Sequence, residues 1–164
     1  IHDILAASRA PRGSLYHYFP RGKAQIAEEA VRMAGERVAA TLESLMARRR
    51  STASIVRAYA RLVAGWLAAS GFRDGCPISA VLMELAPDEA AVAEAGRAAL
   101  AAWAGVIERA LLRDGVPARQ AARRSRMVVA MLQGAMLQAR VARSGAPIED
   151  AAREVARLLA PRGA

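Results

Sequence analysis

Between Pro11 and Lys23 the chain reads PRGSLYHYFPRGK, and here the side chains able to do chemistry collect. Tyr16, Tyr18 and Phe19 are three of only seven aromatic rings in 164 residues, and Arg12, His17, Arg21 and Lys23 stand among them. Arginine, serine and histidine can hydrogen-bond base edges, while tyrosine hydroxyls and ammonium groups can hold phosphates. Arg12, Ser14 and His17 are therefore candidate base readers, with the Arg12 fork matched to the two acceptors of guanine. Tyr16, Tyr18 and Lys23 are candidate backbone holders. The same spacing also describes a surface helix whose tyrosines only cover a core. Catalysis finds less material: His2 and His17 are the only histidines and Cys76 the only cysteine. No paired carboxylates, glycine-rich phosphate loop or metal-ligand spacing occurs, so the reading is of no enzyme, no cofactor and no metal.

The elements that must position this stretch are helices. The chain is 54% hydrophobic and rich in alanine, the best helix former, and shows few β-branched alternations, which implies an all-α fold. Residues 1–8 read as the end of an amphipathic helix and Arg9-Ala10 as a tight turn. Pro11 opens a second short helix that Leu15 and Phe19, four apart, would anchor. Two short helices joined by a turn, the second displaying polar and aromatic groups, describe a helix-turn-helix. A rod follows over 23–48, about 39 Å long, with Ile26, Ala30, Val31, Ala34, Val38, Leu42 and Leu45 inward. Further helices are expected over 52–70, with Ile55, Tyr59, Leu62, Val63 and Trp66 on one stripe, and over 78–85. Others run from Pro87-Asp88 to 113, over 117–143, and from Pro147 to about 160.

The net charge is +9, and all but one of the 24 basic residues are arginine. Such a balance favours an anionic partner, nucleic acid above all, or an acidic membrane surface. A GC-rich coding bias explains arginine in place of lysine, and the abundant alanine, but not the positive balance. The single cysteine rules out an internal disulfide framework and fits a reducing cytoplasm. No apolar run approaches the roughly 18–20 residues of a membrane span, so no membrane partner is expected.

SLYHYFPRGKAQI resembles the signature of the tetracycline-repressor (TetR/AcrR) family of bacterial transcription regulators, carried here by Ser14, Leu15, Tyr16, His17, Tyr18, Phe19, Lys23 and Ile26. With Gly75-Cys76-Pro77 downstream it is most similar to a branch containing regulators of antibiotic and flavonoid response. The resemblance implies a helix-turn-helix domain with its connecting helix over 1–45 and a ligand-binding and dimerisation domain over 46–164. It implies double-stranded operator DNA as partner, and a repressor released by a small apolar or aromatic effector. Arg9 stands where the family commonly has the turn glycine. The family's motif is also preceded by another helix, so a further helix before Ile1 is expected.

The regulatory half agrees with that layout. MVVAMLQGAMLQARVA is too apolar for an exposed helix, which fits the homodimer interface that the resemblance implies over about 117–143 and 147–160, with Ile148, Ala152, Val155 and Leu159 in the seam. Completion of a monomer core is the alternative for both helices. For the effector, Tyr59, Trp66, Met83, Trp103, Ile107 and Met131 are candidate pocket residues, although core packing is an open alternative for each. Glu84 can meet a cationic ligand or point to solvent, Gln133 and Gln138 can orient a ligand or hydrogen-bond across the dimer, and Cys76 reads as a small buried residue. A helical dimer that binds a small molecule or a protein without binding DNA is the competing reading.

Overall fold

Every regular element of the computed structural model is an α-helix among the residues it describes, 2–9 and 11–159 with the side chains of His2, Asp3, Ile4 and Arg12 excepted. These are α1 (His2–Ser8), α2 (Arg12–Tyr18), α3 (Lys23–Arg48), α4 (Thr52–Ala69), α5 (Ser79–Leu85), α6 (Ala90–Arg113), α7 (Ala118–Ala142) and α8 (Ala146–Leu159). Their ends follow local chemistry. Pro11, with no N–H to satisfy, caps α2, and Gly22 enters α3 at φ 61°, ψ −133°, a conformation open to glycine. Ser51 and Ser54 form a reciprocal capping box at the start of α4.

The largest contacts join α3 to α6, α4 to α8 and α6 to α7. Small residues let α3 and α6 approach closely: a Cβ on Gly35 would fall 2.6 Å from that of Ala99. One turn along, buried Trp103 donates its indole N–H to the Gly35 carbonyl at 2.8 Å. Contrary to the expectation that no apolar run approaches a membrane span, α6 is apolar enough to cross a membrane by length and composition; here it is the middle helix of the bundle, burying Val92, Ala99, Trp103, Ile107 and Leu111. At the end of the bundle opposite the α2–α3 turn, Asp114 accepts from the Thr52 backbone N–H at 2.6 Å, and Arg113 donates to the Met46 carbonyl at 3.1 Å.

Three expectations about faces need correction. On α3, Ala30 is exposed and Gly35 buried, because the closest approach to α6 runs through Gly35 rather than along the larger side chains. On α4, Leu62 is 40% and Trp66 51% exposed. The buried arc centres on Val56, Tyr59 and Val63, and Leu62 lies at its edge, in an open groove shared with Met33 and Arg37 of α3. On α8, Ile148, Ala152, Val155 and Leu159 are buried within the chain, where α8 packs on α4 and α7, so they are not an exposed seam.

Candidate functional site: a reading helix and a core cavity

The opening stretch folds so that one residue of α2 is sunk and its neighbours are shown. Leu15 is buried and Phe19 half-buried, and the Phe19 N–H closes onto the Leu15 carbonyl at 2.8 Å. With that side fixed, Tyr16, His17 and Tyr18 are exposed and Ser14 is half-buried. The His17 and Tyr18 rings meet edge to face at 5.2 Å, which limits their rotamers. The Arg12 side chain lies outside the described residues; its backbone opens α2. Before α2, Arg9 adopts φ 53°, a left-handed conformation that glycine takes without strain; Ala10 lies outside the described residues.

The turn after α2 is tied to α3 by charge as well as chain. Arg21 donates to Glu28 at 2.6 Å, and Glu28 also accepts from Arg32 at 2.7 Å. The Arg21 hydrogen bond, with the charges of Arg21 and Arg32, holds the Glu28 carboxyl below the ordinary range against a smaller desolvation effect. Lys23, at the first position of α3, reaches across to Glu84 of α5 at 3.4 Å. Of the two roles open to Glu84 in the sequence, a solvent-facing one is thus observed, with Lys23 as its cationic neighbour.

The second feature is a core cavity of about 30 Å³. Tyr59, Trp103 and Ile107 line it, joined by Val38 and Leu42 of α3. Cys76 and Pro77 close one wall, and Val128, Leu132, Gln133 and Met136 of α7 another. Gln133 donates to the Cys76 sulfur at 3.8 Å. Burial, with a smaller contribution from Cys76, pushes the Tyr59 phenol up to about 12, so its hydroxyl is neutral at pH 7. No described residue pairs with that hydroxyl, whereas the Trp103 N–H is committed to Gly35.

Three pocket candidates fall elsewhere. Trp66 stays exposed near the end of α4 although its angle falls within the buried arc, and Met83 is 81% exposed on α5, where Leu82 is the residue seated on α6. Met131 packs half-buried against the core, while the 3.6-residue period turns Val128, Leu132 and Met136 toward the cavity. That same period is the signal that would have found the α7 wall; its apolar residues were assigned to the dimer instead.

The described residues thus form two short helices and a turn, joined by the long α3 to an all-α bundle. Residues 52–154 match the family described as "Transcriptional regulator LmrA/YxaF-like, C-terminal domain". The uncharacterized HTH-type transcriptional regulator Rv0196 of Mycobacterium tuberculosis is 34% identical, covering 97% of this chain and 82% of the relative. The HTH-type transcriptional regulator LmrA of Bacillus subtilis is 28% identical, covering 90% and 79%. The crystal structure of a regulatory protein TetR from Rhodobacter sphaeroides shares the fold, with a TM-score of 0.82 at 22% identity over 95% of this chain and 85% of that one. The chain belongs to the LmrA/YxaF-like family of TetR-type transcriptional regulators. It is a DNA-binding transcription regulator and not an enzyme; regulators of this family bind operator DNA and form dimers.

Proposed function

We propose that the chain is a cytoplasmic repressor whose α2 reads operator DNA and whose core cavity admits a small, uncharged, mostly apolar or aromatic effector that weakens DNA binding. The observation that carries the DNA half is the division of α2, with Leu15 sunk and Tyr16, His17 and Tyr18 outward beside Lys23. Arg12, Ser14 and His17 take base edges, and Tyr16, Tyr18 and Lys23 take phosphates. One short helix makes too few contacts for specificity, so two copies enter successive major grooves about 34–36 Å apart. The DNA-binding unit is 1–45, including much of α3, and the effector and dimerisation unit is 46–164.

The dimer surface is the outer side of 117–143 with 147–160. Ala130, Gly134, Leu137 and Val141 recur there at helical spacing, all exposed, with Leu158 on α8. An isologous contact along this stripe buries apolar surface that the protomer leaves in water.

Effector entry has a consequence for α3. A void of about 30 Å³ has room for one water, whereas drug-sized ligands occupy roughly 300–1,000 Å³. An effector must therefore push its walls apart. Val38 and Leu42 belong to the same helix that begins at Lys23, so expansion at one end moves the reading helix at the other. The ligand shifts this equilibrium only by its differential affinity for the two states, typically about 1–3 kcal/mol. Charged effectors are disfavoured because no ionised side chain lines the cavity.

The test is an electrophoretic shift with the DNA upstream of the protein's own gene, followed by titration of a hydrophobic compound library. Compounds that quench or shift tryptophan fluorescence should release the DNA. If every such compound bound and none changed DNA affinity, the coupling would be refuted.

A further inference from the structure

The positive charge is not spread evenly over the molecule. Segments 43–57 and 108–126 hold ten arginines against three carboxylates, a net +7 of the chain's +9. The remaining residues are nearly balanced, with 14 basic side chains and 12 acidic ones. The two segments meet in space: Arg113 donates to the Met46 carbonyl, Asp114 accepts from Thr52, and Arg109 pairs with Glu43. They form the pole of the bundle at the far end of α3, about 38 Å of helix from Lys23 and the reading helix.

This pole is built to meet an anion. Among the described residues, eight of its ten arginines have no carboxylate within 4 Å, the exceptions being Arg109 and Arg113. Arg48, Arg49 and Arg50 are consecutive and exposed, and Arg119, Arg123 and Arg126 follow at four and three residues along the exposed face of α7 that from Ala130 onward carries the proposed dimer stripe. Like charges this close repel and destabilise the folded state. A coding bias toward arginine acts on the whole chain and does not sort charge to one end.

The chemistry of the pole selects among anionic partners. A protein interface needs aromatic or aliphatic anchors, and a membrane-binding surface needs apolar side chains to insert. Leu112 is the only exposed large hydrophobic residue in the two segments. What is left is a field of planar guanidinium forks over several turns of helix, which suits the repeated phosphates of a nucleic-acid backbone. We propose that the pole binds the phosphate backbone of a second DNA segment without regard to sequence, so that a dimer seated on its operator also holds DNA in trans. This rests on the reading that α2 binds the operator.

Beads carrying an operator duplex, saturated with the full chain, would be offered a labelled duplex lacking the operator. Capture is expected at 50 mM salt, and four phosphate contacts would cost it about a hundredfold in affinity by 200 mM. Arg48→Ser with Arg49→Ser and Arg50→Ser, and separately Arg119→Ser with Arg123→Ser, should each cut capture about tenfold. Operator affinity should stay within about twofold in the first, which lies on neither α2 nor the proposed dimer surface. The second lies at the end of that surface on α7, so its capture is compared at a dimer fraction fixed by light scattering. A chain with Arg12, Tyr16 and Lys23 replaced by alanine should lose the operator yet still raise the anisotropy of the labelled duplex. No capture by the unmodified chain at 50 mM, or undiminished capture by both arginine variants, overturns the proposal while leaving operator reading intact. Polyglutamate displacing the duplex at equal charge concentration would also overturn it, by making the pole an acidic-protein site. Failure of the operator arm alone, with the anisotropy signal retained, would fault the reading of α2 instead.

Discussion

Replacing Gly35 by alanine puts a methyl group where α3 and α6 touch. Its Cβ would fall 2.6 Å from the Ala99 Cβ and 3.4 Å from the Ala99 Cα. Carbon atoms rest at about 3.5–4.0 Å, so the helices must separate locally by roughly 1 Å. The 2.8 Å bond from Trp103 to the Gly35 carbonyl would stretch with them and weaken. Overpacking costs about 1–3 kcal/mol, and a buried donor left short of its acceptor about 1–3 kcal/mol. Alanine returns about 1 kcal/mol through its better helix propensity. The net loss is about 1–5 kcal/mol, which at roughly 2–4 °C per kcal/mol lowers the melting temperature by about 2–20 °C. Gly65→Ala in α4 is the matched control, since nothing lies within 4 Å of its added Cβ, and it should gain up to about 1 kcal/mol. Thermal melts followed by ellipticity and by tryptophan fluorescence report both. If Gly35→Ala melted at or above the unmodified protein, the close contact between α3 and α6 would be refuted.

Four further outcomes are expected. Arg9→Gly should stabilise the protein by about 1 kcal/mol, because glycine adopts the φ of 53° without strain; a lower melting temperature would contradict this. Glu84→Gln should tighten operator binding about twofold by freeing Lys23, and the gain should vanish when Lys23→Ala is also present. Tyr59 has its folded value raised to about 12, so the unfolded chain ionises first. The stability tied to Tyr59 is whole below about pH 10 and falls as pH climbs toward 12, by about 2–3 kcal/mol, and Tyr59→Phe should abolish that part of the decline in alkaline denaturation curves. Leu137→Glu, at an exposed position on α7, should give folded monomers by light scattering, whereas Val155→Glu buries a charge inside the protomer and should unfold it, at a cost of about 3 kcal/mol or more.

What was legible in the sequence followed from short-range chemistry. The ends of α3 and the start of α4 are written in Lys23, the Arg48–Arg50 run and the Ser51 cap, and the α6 stripe from Val92 to Leu111 shows a clean helical period. The division of α2 was legible because Leu15 and Phe19 fix its inner side and leave the rings outside. The cavity was less so, since it is assembled from α3, α4, α6, α7 and the Cys76–Pro77 turn. A periodic pattern names a buried face but not which helix covers it. Trp66 lies near the angle of Tyr59 on α4 yet stays exposed, and the α8 stripe from Ile148 to Leu159 is covered by α4, far away in the chain. Gly35 carried no hydrophobic signal, although the closest helix contact runs through it. The Lys23–Glu84 pair, 61 residues apart, had no local trace.

The central claim is that α2 and Lys23 read operator DNA, and a salt-dependent binding titration of the full chain on the DNA upstream of its gene tests it most directly. Arg12→Ala should cost about 1–3 kcal/mol and relax base preference at one position per half-site. Lys23→Ala should weaken all sequences alike and lower the salt slope by about 1 for each phosphate it no longer neutralises. Replacing Arg12, Tyr16 and Lys23 together by alanine should abolish sequence-specific binding. Unchanged operator affinity in that triple variant would contradict the account.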